Sequence, residues 1–189
     1  MSLKTKVKAG NITNLSDARY CAGMGVDWLG FPADEVNPAT FKEITDWVTG
    51  PAFVLELSET TSIDSIGDYT VAMLEISSSQ LNLIDQLPAT KWFVRLSLSD
   101  WRQQKNDLLK FKDEIFCLVV EPDLKDMQLL SDIASNFRIL INQTDALTLV
   151  KLLALPVEGI NVAGENELKP GLKDFEKLAS ILEELEVED

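Results

Sequence analysis

Val54-Leu55-Glu56-Leu57-Ser58, Met73-Leu74-Glu75-Ile76-Ser77 and Phe93-Val94-Arg95-Leu96-Ser97 are three consecutive aliphatic runs written to one pattern. Each carries a single charge two residues before a serine. Side chains alternate faces along a strand, so Glu56 and Ser58 share one face while Leu55 and Leu57 share the other. The aliphatic face needs apolar cover, and the charged face then turns to the opposite side of the sheet. Three such strands in one register place a charge at the same height in each.

Working outward, further strands are expected at 5–10, 27–31, 115–121, 137–142 and 159–163, with these three spanning 52–58, 71–77 and 91–98. Helical patterns fall between them, at 15–24, 38–49, 80–86, 100–113, 124–135, 144–154 and 174–186. The connection from Glu59 to Thr70 has room for only one or two helical turns. Strands alternating with helices imply right-handed crossovers and a parallel sheet. Eight units of about 22–24 residues close most naturally into a compact, single-domain (β/α)8 TIM barrel spanning residues 1–189. An open doubly wound sheet would carry a glycine-rich phosphate loop after its first strand, and Gly10-Asn11-Ile12-Thr13 is not one.

Local signals support the boundaries. Asn14 or Ser16 can cap the first helix, and Asn37-Pro38 sets a cap before a first-turn proline. Gly50-Pro51 and Leu155-Pro156 stop the helices before them. Trp47 lies at helical spacing from Phe41 and Ile44 and is expected to pack with them.

In a barrel the charged faces converge inside, near the C-terminal ends of the strands, where sites on this architecture are built. Strand six adds Glu121, strands seven and eight add Asn142 and Asn161, and strand one adds Lys8. Two uses remain open for this set. Arg95 and Lys8 can neutralise Glu56, Glu75 and Glu121 in a structural ion-pair network. The same groups can instead form an acid/base or ligand site.

The chain has 189 residues, 46% of them hydrophobic, enough for one buried core, and a mean hydropathy of +0.02. Its net charge of −14 opposes nucleic acid and anionic membranes as partners. No apolar run approaches the roughly 20 residues that span a bilayer. Met1 to Lys6 lacks the apolar centre of a signal peptide, so the expected compartment is the cytoplasm. Cys21 and Cys117 read as buried, reduced thiols. There are no histidines, which removes the commonest general acid/base and metal ligand. No cofactor and no metal are implied.

Val7-Lys8-Ala9-Gly10-Asn11-Ile12-Thr13-Asn14-Leu15-Ser16-Asp17-Ala18 resembles the opening of the phosphoribosylanthranilate isomerase family, Val-Lys-Ile-Cys-Gly-Ile-Thr followed by Asn-x-x-Asp-Ala. Gly25-Val26-Asp27-Trp28-Leu29-Gly30-Phe31 resembles its second strand, Gly-Ala-Asp-x-x-Gly-Phe. Near the end, Gly159 to Glu167 and Lys169 to Asp174 resemble its Val-Asp-Val-Ser-Ser-Gly-Val-Glu and Pro-Gly-x-Lys-Asp segments. The resemblance implies a (β/α)8 barrel of tryptophan biosynthesis acting on a phosphorylated sugar. It also implies a base at position 10, and Gly10 stands where the family has cysteine. Ala33 to Pro38 holds no counterpart to the family's arginine. Glu121 falls near its acid aspartate, and of its phosphate-binding glycines only Gly164 is clearly kept.

Three functions follow from this combination. The first is a diverged barrel without ordinary isomerase activity, binding a small polar ligand at an acidic mouth through Lys8, Arg95, Asn142, Asn161 and Gly164. The second is a sugar-phosphate isomerase with catalytic residues drawn from Glu121, Glu75 and Glu56. The third is a non-catalytic interaction or scaffold protein. The sequence leaves the oligomeric state open.

Overall fold

A computed structural model describes residues 3–87, 91–123, 125–142, 151, 154–163 and 176–187. Eight parallel strands form a closed barrel in sequence order. They are β1 (Lys6–Gly10), β2 (Trp28–Pro32), β3 (Ala52–Glu56), β4 (Met73–Ser77), β5 (Lys91–Ser97), β6 (Ile115–Glu121), β7 (Ile139–Asn142) and β8 (Gly159–Ala163). Closure is made by β1 against β8, where Lys8 pairs with Asn161.

The described helices are α1 (Leu15–Gly23), α2 (Pro38–Asp46), α3 (Ile63–Ile66), α4 (Leu98–Lys110), α5 (Leu129–Ala134) and α6 (Glu176–Leu185). Asn14 caps α1 by accepting from Asp17 N–H at 3.0 Å, and Asn37 caps α2 by accepting from Thr40 N–H at 3.0 Å. Between β3 and β4 the chain makes only the four residues of α3, as the polar connection allows. Three expectations need correction. The segment expected as a helix at 80–86 is a 3-10 helix over Ser78–Leu83. It starts directly at the end of β4, where Ser77 and Gln80 form a capping box. The helix expected at 124–135 begins only at Leu129, after turns in which Asp123 accepts from Lys125 N–H at 2.9 Å. Trp47 does not join Phe41 and Ile44 in the core. It follows the last residue of α2 and is 65% exposed, with the Arg19 guanidinium 5.6 Å from its ring centre. The helix expected at 144–154 lies largely outside the described residues.

Strand alternation sorts the core into two parts. Val7, Ala9, Leu29, Leu55, Leu74, Ile76, Val94, Leu96, Leu118 and Val120 face outward into the apolar layer beneath the helices. The residues between them point inward. The lower interior is a separate cluster of Trp28, Val54, Phe93, Cys117, Val119 and Leu140, with Trp28 edge-on to Phe93 at 5.7 Å. Cys21 and Cys117 are both buried, and burial pushes the Cys117 thiol far above its ordinary pKa.

Candidate functional site at the barrel mouth

One step up each strand from this floor, the interior turns polar. Lys8 of β1 is 1% exposed and lies between two carboxylates. Its Nζ pairs closely with Glu56 Oε1 and stands 2.9 Å from Glu75 Oε2. Burial works against the Lys8 charge, yet Glu56 and then Glu75 overcome it and hold the ammonium above the ordinary lysine pKa. On the far side of Glu75, Arg95 brings its Nε to 3.4 Å from Oε1. Arg95 Nη2 also reaches Leu57 O at 3.4 Å.

Glycine makes this arrangement fit. A Cβ at Gly30 would fall 2.1 Å from Glu56 Oε1 and 2.8 Å from Lys8 Nζ. A Cβ at Gly10 would fall 2.7 Å from the same oxygen. The Glu56 carboxylate thus fills the space into which side chains from β1 and β2 would otherwise project. Its second oxygen accepts from Asn11 N–H at 3.0 Å. Asn11 holds that N–H in place with a φ of 58°, a left-handed conformation that asparagine tolerates better than most residues.

A second chain of contacts runs the other way round the rim. Lys8 Nζ donates to Asn161 Oδ1 at 3.1 Å, and Asn161 Nδ2 donates to Asn142 Oδ1 at 2.6 Å. Asn142 Nδ2 then donates to Glu121 Oε1. An ammonium can only donate, so each amide is oriented in turn and the chain must end on an acceptor. Glu121 is that acceptor, and it is exposed.

The rim also carries a repeat that follows the three opening runs. Ser58 Oγ meets Thr60 Oγ1 at 2.8 Å, Ser77 Oγ meets Ser79 Oγ at 2.5 Å, and Ser97 Oγ meets Ser99 Oγ at 2.7 Å. In each case the residue three beyond the serine accepts the serine N–H: Thr61 at 2.9 Å, Gln80 at 3.1 Å and Asp100 at 2.8 Å. Asp34 joins the first of these turns. Hydrogen bonds from Ser58, Thr61 and Thr60 hold its carboxyl below the ordinary pKa.

Together these groups line an open cavity of about 750 Å³ at the C-terminal end of the barrel, bounded by Gly10, Asn11, Pro32, Asp34, Glu56, Leu57, Ser58, Glu75, Arg95, Glu121, Asn142, Asn161 and Ala163. Lys8 sits just beneath, within contact of Glu56 and Glu75. Of the residues singled out from sequence, Lys8, Glu56, Glu75, Arg95, Glu121, Asn142 and Asn161 converge here. Gly164 lies outside the described residues. Sequence reasoning missed Asp34 and Asn11, and it missed the hydroxyl pairs, whose signal was the repeated Ser-x-Ser or Ser-x-Thr after each charge.

No protein-family model matches the sequence, and no curated protein sequence matches it. Solved structures do. A phosphoribosylanthranilate isomerase in complex with reduced 1-(o-carboxyphenylamino)-1-deoxyribulose 5-phosphate is 15% identical, with a TM-score of 0.71 over 95% of this chain and 97% of that one. The fold is that of the phosphoribosylanthranilate isomerases. The isomerase from Thermus thermophilus gives a TM-score of 0.69 at 16% identity, covering 95% of this chain and 98% of that one. A monomeric form of the dimeric isomerase from Thermotoga maritima gives 0.68 at 17% identity, covering 91% of this chain and 93% of that one. At the position where the resemblance to the isomerases places a base, this barrel has Gly10 and, lying over it, the carboxylate of Glu56.

Proposed function

We propose that this chain is a diverged relative of the phosphoribosylanthranilate isomerases that has lost their ordinary reaction and binds a small polar ligand, cationic or sugar-like, at its acidic mouth. The observation that carries this reading is the oriented chain from Lys8 through Asn161 and Asn142, which presents Glu121 to the cavity as an exposed acceptor. Four carboxylates border the cavity beside a single cation, Arg95, which is engaged with Glu75, while Lys8 beneath is engaged with Glu56 and Glu75. An acceptor surplus at an open mouth suits an ammonium or a polyol better than a phosphate.

Loss of the isomerase reaction follows from chemistry at two positions. Gly10 has no group that can take a proton, and Ala33 to Pro38 supplies no arginine for an anionic substrate. Expression in a bacterial strain lacking its own phosphoribosylanthranilate isomerase tests this: cells should fail to grow without tryptophan while the protein accumulates in folded form.

One observation favours a second reading, an isomerase with glutamates in place of the family's catalytic pair. The Glu56 carboxylate lies where a side chain at position 10 would begin, so it could serve as base with Glu121 as acid. Against it, both Glu56 oxygens are already engaged, one by Lys8 and one by Asn11 N–H. Growth of the complemented strain, abolished by both Glu56→Gln and Glu121→Gln, would establish this second reading and overturn the first.

A further inference from the structure

Arg95 and Glu121 rise from neighbouring strands, yet they do not pair. In the β5–β6 register Ser97 lies opposite Glu121, so Arg95 is set two residues lower on the adjacent strand. Strand geometry then puts their Cα atoms about 8 Å apart, within easy reach of two long side chains. Opposite charges so placed, at a half-open mouth, would ordinarily close on each other. Instead each is drawn away from the other. Arg95 leans toward β3 and β4, to Glu75 and the Leu57 carbonyl. Glu121 leans toward β7, to the Asn142 amide.

Both remain accessible: the Arg95 side chain is 39% exposed, Glu121 is exposed, and both border the same cavity. The contact to Glu75 uses the Nε edge of the guanidinium and the one to Leu57 uses Nη2, at 3.4 Å each, leaving further donors free. A lone cation placed here would face Arg95, and a lone anion would face Glu121 and Asp34. A molecule carrying both charges meets a partner for each, already held apart, without a rearrangement that would lower its affinity.

We infer that the mouth selects a zwitterion, a small molecule whose ammonium group sits on Glu121 and whose carboxylate sits on Arg95. This rests on the reading that the mouth binds a small ligand, and it names the ligand's chemical class. Aliphatic ω-amino acids are the simplest members of that class, and the separation of the two side chains makes spacing between the charges the selective variable.

The test is calorimetric titration of the full chain, at constant ionic strength, with glycine, β-alanine, 4-aminobutyrate and 6-aminohexanoate, and with n-butylamine and butyrate as single-charge controls. One ω-amino acid should bind best, with weaker binding on either side of it in length. It should exceed both controls by about ten-fold, the gain from one added charge-assisted contact. Arg95→Gln should reduce that amino acid to the level of n-butylamine, and Glu121→Gln should reduce it to the level of butyrate. Glu121 is exposed, so its variant serves the test even where Arg95→Gln does not fold.

n-Butylamine binding as tightly as every amino acid would overturn the inference while leaving an acidic binding mouth in place. Affinity that climbs steadily with methylene count and is unchanged in both variants would also overturn it, as apolar burial. Absence of binding by all six compounds would remove the binding mouth and the zwitterion together.

Discussion

The barrel interior is two layers made by the same strands, and they are held together by different physics. Below, Trp28, Val54, Phe93, Cys117, Val119 and Leu140 fill space. Above, Lys8, Glu56, Glu75, Arg95, Asn142 and Asn161 are tied together by ion pairs and hydrogen bonds. Moving two residues along β3 changes Val54 into Glu56, and moving two along β5 changes Phe93 into Arg95. In the floor a side chain matters for its volume, and its partners are interchangeable. In the mouth it matters for its partner, since a buried charge left alone costs far more than a buried gap. The floor fills the barrel's lower interior with apolar packing, and the mouth gives it a directed surface.

The sharpest way to break that contrast is to remove one large group from each layer. Phe93→Ala should destabilise the fold by about 3–5 kcal/mol through cavity formation. Glu75→Ala should cost roughly 3–5 kcal/mol, by removing one of the two carboxylates that keep the buried Lys8 ammonium charged. Denaturant titration reads both. The layers then separate in how they are repaired. Lys8→Met combined with Glu56→Gln and Glu75→Leu should recover most of the mouth's loss, since a buried ionic triad replaced as a whole strands no charge. If the triple variant is no better than Glu75→Ala, the mouth is packed as rigidly as the floor and the contrast fails.

A smaller effect is expected at Gly30. A methyl there meets the Glu56 carboxylate at 2.1 Å, so Gly30→Ala should cost about 1–3 kcal/mol, and Glu56→Ala in the same chain should relieve part of it. Smaller again is a pH effect. The Lys8 pKa is raised in the folded state, so the stability it contributes is complete below the ordinary lysine value of 10.5 and is lost as pH climbs through the folded value. Glu56→Gln removes one of the carboxylates responsible. The alkaline fall in Tm should therefore begin at lower pH in that variant than in the parent. The smallest change belongs to Glu121→Gln. With an exposed side chain at the rim, it should shift Tm by no more than about 2 °C, whatever it does to binding.

The floor and the strands were legible in sequence because period-two alternation and helix punctuation are local signals. Glu56 and Glu75 announced a common level through their shared distance from a serine and lie opposite each other, but Arg95 lies opposite Ser77, two residues further along than that pattern predicts. What was not legible is who partners whom. Lys8 meets Glu56 across Gly30, a residue whose importance lies in the atoms it lacks, and nothing in the run Trp28-Leu29-Gly30-Phe31 reveals that a carboxylate from β3 occupies its place. The direction of the Asn161–Asn142 chain depends on contacts across strands far apart in sequence, so the sequence offered Glu121 as a candidate without the amide that donates to it. Trp47 went wrong because helical spacing was extended past the residue where α2 ends.

The most direct test of the acidic binding mouth follows the side-chain amides of Asn142 and Asn161 by heteronuclear NMR while n-butylammonium chloride is added at constant ionic strength. Saturable shifts of the Asn142 amide, with weaker ones at Asn161, are expected in the parent protein, and both should vanish in Glu121→Gln. Unmoved amides in the folded parent, or shifts that persist unchanged in Glu121→Gln, would contradict a ligand site built on Glu121.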